Sequence, residues 1–244
     1  MASKLVFKVS EYEKDPRWSA VDDYTFTNLH PSTRPNHSVL TYALENSLKK
    51  GLPDIATYAV FSKYLALQCR LSGATHALEV GTLGGYTSIW LATENPNLRV
   101  TTLEVNPMHA EVARENIEKA GVSDRVEVRV GKALEILPEL YEEVKRGEKD
   151  KIGFVYIDAD KVNNVAYFDW AVKMCKPRAS LFVDNVVRRG KLAIEDNKEG
   201  QNVGSRALVE TVGKDKRVDG VVMQTVGEKD YDGFLMAVVK DETE

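Results

Sequence analysis

Residues 76–88 read H-A-L-E-V-G-T-L-G-G-Y-T-S and join a short apolar run to a glycine turn and then to a segment of helical period. From Gly73 onward, apolar runs of this kind alternate with helical segments, which is typical of a parallel sheet with crossover helices. Ligands of such open sheets bind where the strands end. The turn after Val80 is therefore the first candidate for a binding site.

The same alternation predicts the remaining elements of the fold. We predict five strands before Asp184, at residues 76–80, 99–105, 126–130, 153–157 and 180–183, with intervening helices that begin near Tyr86, Pro107, Ala133 and Val162. Two earlier helices are predicted at 38–50 and 57–71, and a closing hairpin at 217–226 and 231–239. The predicted fold class is α/β, with a mostly parallel seven-stranded sheet, a closing antiparallel hairpin strand and helices on both faces.

Composition favours one compact domain. The 244 residues are 43% hydrophobic and 29% charged, with 16 Gly and 8 Pro, which excludes disordered and fibrous proteins. Residues 1–36 mix charged, aromatic and proline residues without a clear period. We therefore predict an N-terminal arm or lid at 1–36 and a single domain at 37–244.

Charge and cysteine content restrict the partners and the compartment. The chain has 33 Lys and Arg against 37 Asp and Glu, a net charge of −4, so neither nucleic acid nor a membrane is expected as a partner. The first 15 residues lack the pattern of a signal peptide, and no apolar stretch approaches the roughly 18 residues of a membrane span. Cys69 and Cys175 both fall in segments that we expect to be helical, so the predicted location is the cytoplasm.

The spacing of the glycine turn separates two classes of nucleotide site. Gly81, Gly84 and Gly85 stand in the order G-x-x-G-G, whereas a dinucleotide pyrophosphate is bound by G-x-G-x-x-G. At the end of the next strand, Glu104 can accept both hydroxyls of a ribose. An adenosine without phosphate fits this pattern, with Glu79 facing a cationic amino-acid group or a bound water. A nicotinamide oxidoreductase is the least favoured alternative.

Two further apolar strands end abruptly in acid or amide side chains. The first is V-Y-I-D-A-D-K at residues 155–161, and the second is L-F-V-D-N-V-V-R-R-G at residues 181–190. If these two strands are neighbours, they lie about 4.8 Å apart, so Asp158, Asp184 and Asn185 can converge at one edge of the sheet. These oxygen ligands suit Mg²⁺, and Mn²⁺ or another divalent ion could replace it.

Lys161 stands three residues after Asp158, where the chain turns from strand to helix. Its flexible amine could reach a substrate held at the cation site, and a neighbouring divalent ion would favour the neutral amine that a general base requires. We therefore predict Lys161 and Asp158 as the catalytic residues.

Four motifs resemble the cation-dependent O-methyltransferases of the caffeoyl-CoA and catechol type. They are E-V-G-T-L-G-G-Y, R-E-N-I-E-K-A-G-V, V-Y-I-D-A-D-K and V-D-N-V-V-R-R-G, within a similarity that spans roughly residues 38–240. The resemblance implies a Rossmann-like class I methyltransferase fold, S-adenosylmethionine as cofactor, an aromatic small-molecule acceptor and a homodimer. It places Asp158, Asp184 and Asn185 on the metal and makes Lys161 the base. The predicted cofactor residues are Thr57, Glu79, Gly81, Thr82, Gly85, Tyr86, Thr87, Glu104, Ala133, Asp158 and Asp160.

The implied reaction moves a methyl group from S-adenosylmethionine to one hydroxyl of a vicinal-dihydroxy aromatic, such as a catechol, flavonoid or caffeoyl derivative. Chelation of two adjacent oxygens stabilises a phenolate while Lys161 takes its proton. Trp18, Tyr24 and Phe26 of the predicted arm are candidates either for the acceptor pocket or for packing. Two alternatives stay open: a metal-independent small-molecule methyltransferase and a non-catalytic cofactor-binding module.

Overall fold

One seven-stranded sheet forms the centre of the protein, and the computed structural model describes residues 14–241. The strands are β1 (His76–Val80), β2 (Arg99–Glu104), β3 (Val126–Val130), β4 (Ile152–Ile157), β5 (Cys175–Val183), β6 (Val218–Val226) and β7 (Tyr231–Val239). Their order across the sheet is β3-β2-β1-β4-β5-β7-β6. The first five strands run parallel, and β7 runs antiparallel to both β5 and β6. The predicted mixed sheet is confirmed.

Helices cover both faces of this sheet. Within residues 14–241 they are α1 (Pro16–Leu29), α2 (His37–Lys49), α3 (Ala59–Leu71), α4 (Tyr86–Glu94), α5 (Pro107–Lys119), α6 (Ala133–Lys145), α7 (Asn164–Met174) and α8 (Gly200–Val212). Short 3₁₀ turns occur at Lys161–Asn163 and Lys191–Ala193. Across the same residues, none of these helices has the length and apolar content that crossing a bilayer requires.

The two hydrophobic cores hold the central strands in place. Every residue of β1 and β4 is buried, which is why both strands read as nearly continuous apolar runs. One core lies against α6, α7 and α8 and includes Leu137 and Phe168. The other lies against α2 to α5 and includes Leu65 and Ile89. Burial of each such side chain stabilises the fold by about 1.5–3 kcal/mol, so the carboxyl ends of β1 and β4 have fixed positions.

The helical prediction for Cys175 is wrong, because this residue begins β5. Helix α7 ends at Met174, and Cys175 pairs with Ile152 of β4. The pairing then shifts register before Ser180, across an irregular stretch in which Arg178 has a φ of 64°. Both cysteines are free and buried, and burial raises the pKa of the Cys175 thiol.

Two element boundaries differ from the prediction in places that affect the site. Helix α3 begins at Ala59, so Thr57 belongs to the loop before the helix rather than to its first turn. The turn after β4 begins with a 3₁₀ helix at Lys161, before the predicted start at Val162. Both Thr57 and Lys161 thus lie in turns beside the carboxyl ends of the central strands.

The N-terminal arm contains a helix that the sequence pattern did not indicate. Pro16 occupies the first turn of α1, and the side chain of Asp15 caps the helix by accepting a hydrogen bond from Arg17 N. Among the aromatic candidates on α1, Phe26 packs against His30, whereas Tyr24 is 72% exposed. Residues 1–13, which make up most of the segment on which the expected lack of a signal peptide rests, lie outside the described residues.

Candidate active site

A cavity of about 760 Å³ opens at the carboxyl ends of β1 and β4. The two strands are adjacent in the sheet. β2 lies on the other side of β1, and β5 lies on the other side of β4, so the strand order changes direction between β1 and β4. Ligands of open α/β sheets bind at such a switch point. The volume falls within the range of about 300–1,000 Å³ that is typical of small-molecule sites.

The glycine turn after β1 packs directly against the turn after β4. Gly81 has a φ of 103°, and a Cβ atom placed on it would lie 2.9 Å from the carbonyl carbon of Asp158. Only glycine allows the two turns to approach each other this closely. Gly85 has a different role, because it precedes α4 with a φ of 78° and packs against Ala113 and Ile117.

Glu104 presents an oriented carboxylate to the cavity. Its Oε2 accepts a hydrogen bond of 2.8 Å from Leu83 N, and its Oε1 accepts one of 2.9 Å from Asn106 N. The side chain lines the cavity and is largely buried. A carboxylate whose two oxygens are already held by backbone amides has a fixed plane, as the recognition of a ribose diol requires.

Glu79 lies behind the cavity wall. The residue is 1% exposed, and its Oε2 accepts hydrogen bonds from the hydroxyls of Ser88 and Thr102. Burial raises the pKa of this carboxyl to about 7, although the two hydroxyls act in the opposite direction. These hydrogen bonds connect β1 to α4 and β2, and the predicted role of Glu79 towards a cationic group stays a prediction.

Most of the predicted site residues share the large cavity. Those that line it are Thr57, Gly81, Thr82, Tyr86, Thr87, Glu104, Ala133, Asp158, Asp160, Lys161 and Asn185. Glu79 and Gly85 lie behind its wall, and Asp184 faces a neighbouring cavity of about 260 Å³. Thr57, Asp158 and Asn185 line both cavities, so the two spaces meet at the predicted metal ligands.

Asp158 and Asp184 converge at the edge of the sheet, as the sequence predicts. The hydroxyl of Tyr156 lies 2.9 Å from Asp184 Oδ2 and 3.4 Å from Asp158 Oδ2, so it stands between the two carboxylates. Burial, followed by the nearby charge of Asp158, raises the pKa of Asp184 above its usual value. Two carboxylates that repel each other in this way favour a cation between them.

The donor set fits a divalent cation with oxygen ligands. Asn185 follows Asp184 directly and adds an amide oxygen to the two carboxylates. Its φ of 53° lies in the left-handed region, which asparagine adopts more readily than most residues. Across residues 14–241, no group of three or more His, Cys, Asp and Glu side chains has metal-binding geometry, so a cation bound here would need the amide as a third ligand.

Lys161 lies beside these ligands and is held from behind. Its Nζ is 2.7 Å from Asp158 Oδ1, and its side chain is 4% exposed. Gly204 of α8 packs against the Lys161 backbone so closely that a Cβ atom on the glycine would lie 2.7 Å from the lysine carbonyl carbon. The amine is therefore fixed at the edge of the large cavity, next to the carboxylates.

Tyr156 is the functional residue that the sequence interpretation missed. A tyrosine inside an apolar strand indicates core packing, and its ring does pack edge-on against Phe61. However, its hydroxyl also contacts Thr57 Oγ1 at 2.9 Å and the carboxylate of Asp184. The available signal was the two-residue spacing to Asp158, which places both side chains on one face of β4.

Comparisons with known proteins identify the family. A family model described as O-methyltransferase matches residues 30–237. The chain belongs to the O-methyltransferase family. This methyltransferase is 57% identical to O-methyltransferase imqG of Aspergillus flavus over 237 residues, which cover 96% of each chain. Over 202 residues it is 45% identical to a catechol O-methyltransferase of Mycobacterium tuberculosis, covering 82% of this chain and 88% of the relative.

A solved structure shows the same relationship. The O-methyltransferase TomG from Streptomyces achromogenes, which is involved in tomaymycin synthesis, was determined in complex with SAM. It shares 37% sequence identity with this methyltransferase at a TM-score of 0.85, and the match covers 94% of this chain and 100% of that chain. The predicted family, fold and class of enzyme are confirmed.

Proposed function

We propose that this methyltransferase transfers the methyl group of S-adenosylmethionine to one hydroxyl of a vicinal-dihydroxy aromatic acceptor, with a divalent cation as second cofactor. The observation that carries the proposal is the position of Asp158, which lines both cavities. On one side lie the glycine turn and Glu104, and on the other lie Asp184 and an aromatic wall. A cofactor and an acceptor bound in these two spaces would meet at Asp158 and Lys161.

The large cavity has the features that S-adenosylmethionine requires. Glu104 accepts hydrogen bonds from the two ribose hydroxyls, because its carboxylate plane is fixed by backbone amides. The glycine turn, including Gly81 and Thr82, lines this cavity, so a bound cofactor can contact its backbone. TomG, whose fold this chain shares, was solved with SAM, which supports the same cofactor here.

Asp158, Asp184 and Asn185 would hold the cation. A bound divalent cation supplies stabilisation of the negative charge that develops on a phenol oxygen. A cation at Asp158 would favour the neutral form of the Lys161 amine, which lies 2.7 Å from Asp158 Oδ1, and the neutral amine accepts the proton of the reacting hydroxyl. The phenol oxygen then forms a bond to the methyl carbon as the carbon–sulfur bond breaks, which gives a methyl ether and S-adenosylhomocysteine.

The smaller cavity supports an aromatic acceptor. Tyr58, Phe61 and Phe234 line it beside Asp158 and Asp184. The rings of Phe61 and Phe234 stack with centroids 4.9 Å apart, and these aromatic side chains form one wall of the cavity. An aromatic ring against this wall would direct its hydroxyls towards the carboxylates. Two adjacent hydroxyls can occupy two positions on one cation, whereas a lone phenol fills only one.

Methyl transfer from labelled S-adenosylmethionine tests the proposal directly. Catechol, a flavonol with vicinal hydroxyls and caffeoyl-CoA serve as acceptors, each with Mg²⁺ or with EDTA, and a monophenol is the matched control. We expect turnover with vicinal diols only, loss of activity with EDTA, and loss of activity in Asp184→Asn. Turnover that persists in EDTA would instead identify a metal-independent methyltransferase.

Cofactor binding without turnover on any of these acceptors would point to a binding module.

The predicted homodimer stays a prediction, which the molecular mass of the protein in solution would decide.

A further inference from the structure

The Tyr156 hydroxyl connects the loop before α3 to the carboxylates at the end of β4 and β5. Its oxygen lies 2.9 Å from Thr57 Oγ1 and 2.9 Å from Asp184 Oδ2. The ring is 1% exposed and packs against Phe61, so the hydroxyl has a fixed position. Three separate segments of the chain therefore meet at one phenol oxygen.

The direction of these hydrogen bonds follows from the number of protons. A phenol has one proton to donate, and an ionised carboxylate can only accept. Tyr156 therefore donates to Asp184 Oδ2, and the Thr57 hydroxyl donates to the tyrosine oxygen. The Asp158 oxygen, at 3.4 Å, is too distant to compete for the proton.

Both oxygens of Asp184 are oriented as a result. Oδ1 accepts a 2.8 Å hydrogen bond from Asn185 N, and Oδ2 accepts the bond from Tyr156. A carboxylate held at both oxygens keeps one orientation, while each oxygen retains a further lone pair for a cation. Groups that orient ligands in this way determine metal affinity without touching the metal.

We infer that Tyr156 is a positioning residue that orients Asp184 for a divalent cation, and that Thr57 in turn orients Tyr156. The inference rests on the proposed cation dependence and goes beyond it, because it assigns the geometry of the site to a side chain that is not itself a ligand. It also connects the loop lining both cavities to the metal ligands through two hydrogen bonds.

Binding of Mn²⁺ alone tests this inference without any turnover. Free Mn²⁺ is measured by electron paramagnetic resonance as it is titrated with wild-type protein, Tyr156→Phe, Thr57→Val and Thr57→Ser. We expect Tyr156→Phe to weaken Mn²⁺ binding by about 10- to 100-fold, the usual effect of removing a group that orients a metal ligand. Thr57→Val should weaken binding by less, and Thr57→Ser should restore it because serine keeps the hydroxyl.

Tyr64→Phe is the matched control, since it removes a hydroxyl from the same aromatic cluster. Tyr64 packs against Phe182 and Phe234. The Tyr64→Phe protein should bind Mn²⁺ with wild-type affinity. The affinity for S-adenosylmethionine reports on folding of the cofactor site and should be unchanged in Tyr156→Phe.

The outcomes separate this inference from the proposed function. If wild-type protein fails to bind Mn²⁺, the cation proposal itself fails. If wild-type protein binds Mn²⁺ and Tyr156→Phe binds it equally well, the positioning role is overturned while the cation proposal stands. Equal losses in Tyr156→Phe and Tyr64→Phe would assign the effect to aromatic packing and would also overturn the inference.

Discussion

Lys161 Nζ lies 2.7 Å from Asp158 Oδ1, with only 4% of the lysine side chain exposed. The pair joins the proposed base to a proposed metal ligand. The charge of Lys161 would therefore depend on whether a cation is bound at Asp158. A buried ion pair of this kind gives little net stability, because removing both ions from water offsets their attraction. Asp158 lines both cavities and Lys161 lines the larger one, which supports the catalytic role proposed for the pair.

Lys161→Met should strongly reduce methyl transfer. Methionine has a similar volume and cannot accept a proton, so we expect turnover to fall by about 10²- to 10⁴-fold, the usual contribution of a general base. The affinity for S-adenosylmethionine, measured by calorimetry, should not change. Lys173→Met alters an exposed lysine of α7 and is the control. Wild-type turnover in Lys161→Met would remove Lys161 from the mechanism.

Glu104→Gln should weaken binding of S-adenosylmethionine. In the wild type, Leu83 N and Asn106 N each donate to a different oxygen of Glu104. Glutamine has only one side-chain oxygen, so one of these two hydrogen bonds is lost. A hydrogen bond to a charged group contributes about 1.5–3 kcal/mol, so we expect a loss of about 10-fold or more in affinity by calorimetry. Glu118→Gln, on the exposed side of α5, provides the comparison. Equal affinities in the two variants would contradict the assignment of Glu104 to the ribose.

The central part of the fold follows from local sequence pattern. β1 and β4 are buried on both faces, so their apolar runs and the abrupt polar ends at Asp158 were visible without a structure. The start of β5 was not, because K-P-R at residues 176–178 interrupts the apolar run. Helix α1 was not predicted, because residues 1–36 mix charged, aromatic and proline residues without a clear period, although the Asp15–Pro16 cap was a usable signal.

The site was predictable where its residues end strands, and not where distant segments meet. Asp158, Asp184 and Asn185 follow strand ends, so sheet geometry alone brings them together. The hydroxyl of Tyr156 depends on Thr57, which is 99 residues away in sequence. Glu79 shows the same limit, because its partners Ser88 and Thr102 turn it away from the cavity. Side-chain contacts of this kind, between residues far apart in sequence, can be identified only from the packed structure.

Gly81→Ala should destabilise the protein and disrupt the cofactor site. A left-handed alanine costs about 1–2 kcal/mol, and the clash with the Asp158 carbonyl group adds about 1–3 kcal/mol of overpacking. Gly121→Ala is a matched control, because Gly121 also has a positive φ, of 69°, but a Cβ atom there meets nothing within 4 Å.

Thermal unfolding and calorimetry distinguish the two glycine variants. Both should lose stability, with the larger loss in Gly81→Ala, and only Gly81→Ala should bind S-adenosylmethionine more weakly. Similar losses of cofactor affinity in both variants would show that backbone strain, and not the close approach of the two turns, governs the site.

Glu79→Gln should change how stability depends on pH. Burial raises the pKa of Glu79 from 4.5 to about 7 in the folded protein. Between these values the folded chain holds a proton that the unfolded chain has released. The free energy of unfolding of the wild type therefore falls as pH rises through this window, by up to about 1.4 kcal/mol per pH unit from this group.

Glutamine is neutral at every pH, and its single oxygen can accept both hydrogen bonds that Glu79 Oε2 accepts from Ser88 and Thr102. The stability of Glu79→Gln relative to wild type, measured by urea unfolding, should thus increase from pH 4.5 to about 7. Glu139→Gln makes the same chemical change on the exposed side of α6 and is the control. A relative stability of Glu79→Gln that is constant with pH, or that falls as pH rises, would show that the buried carboxyl is already ionised at acidic pH in the folded protein.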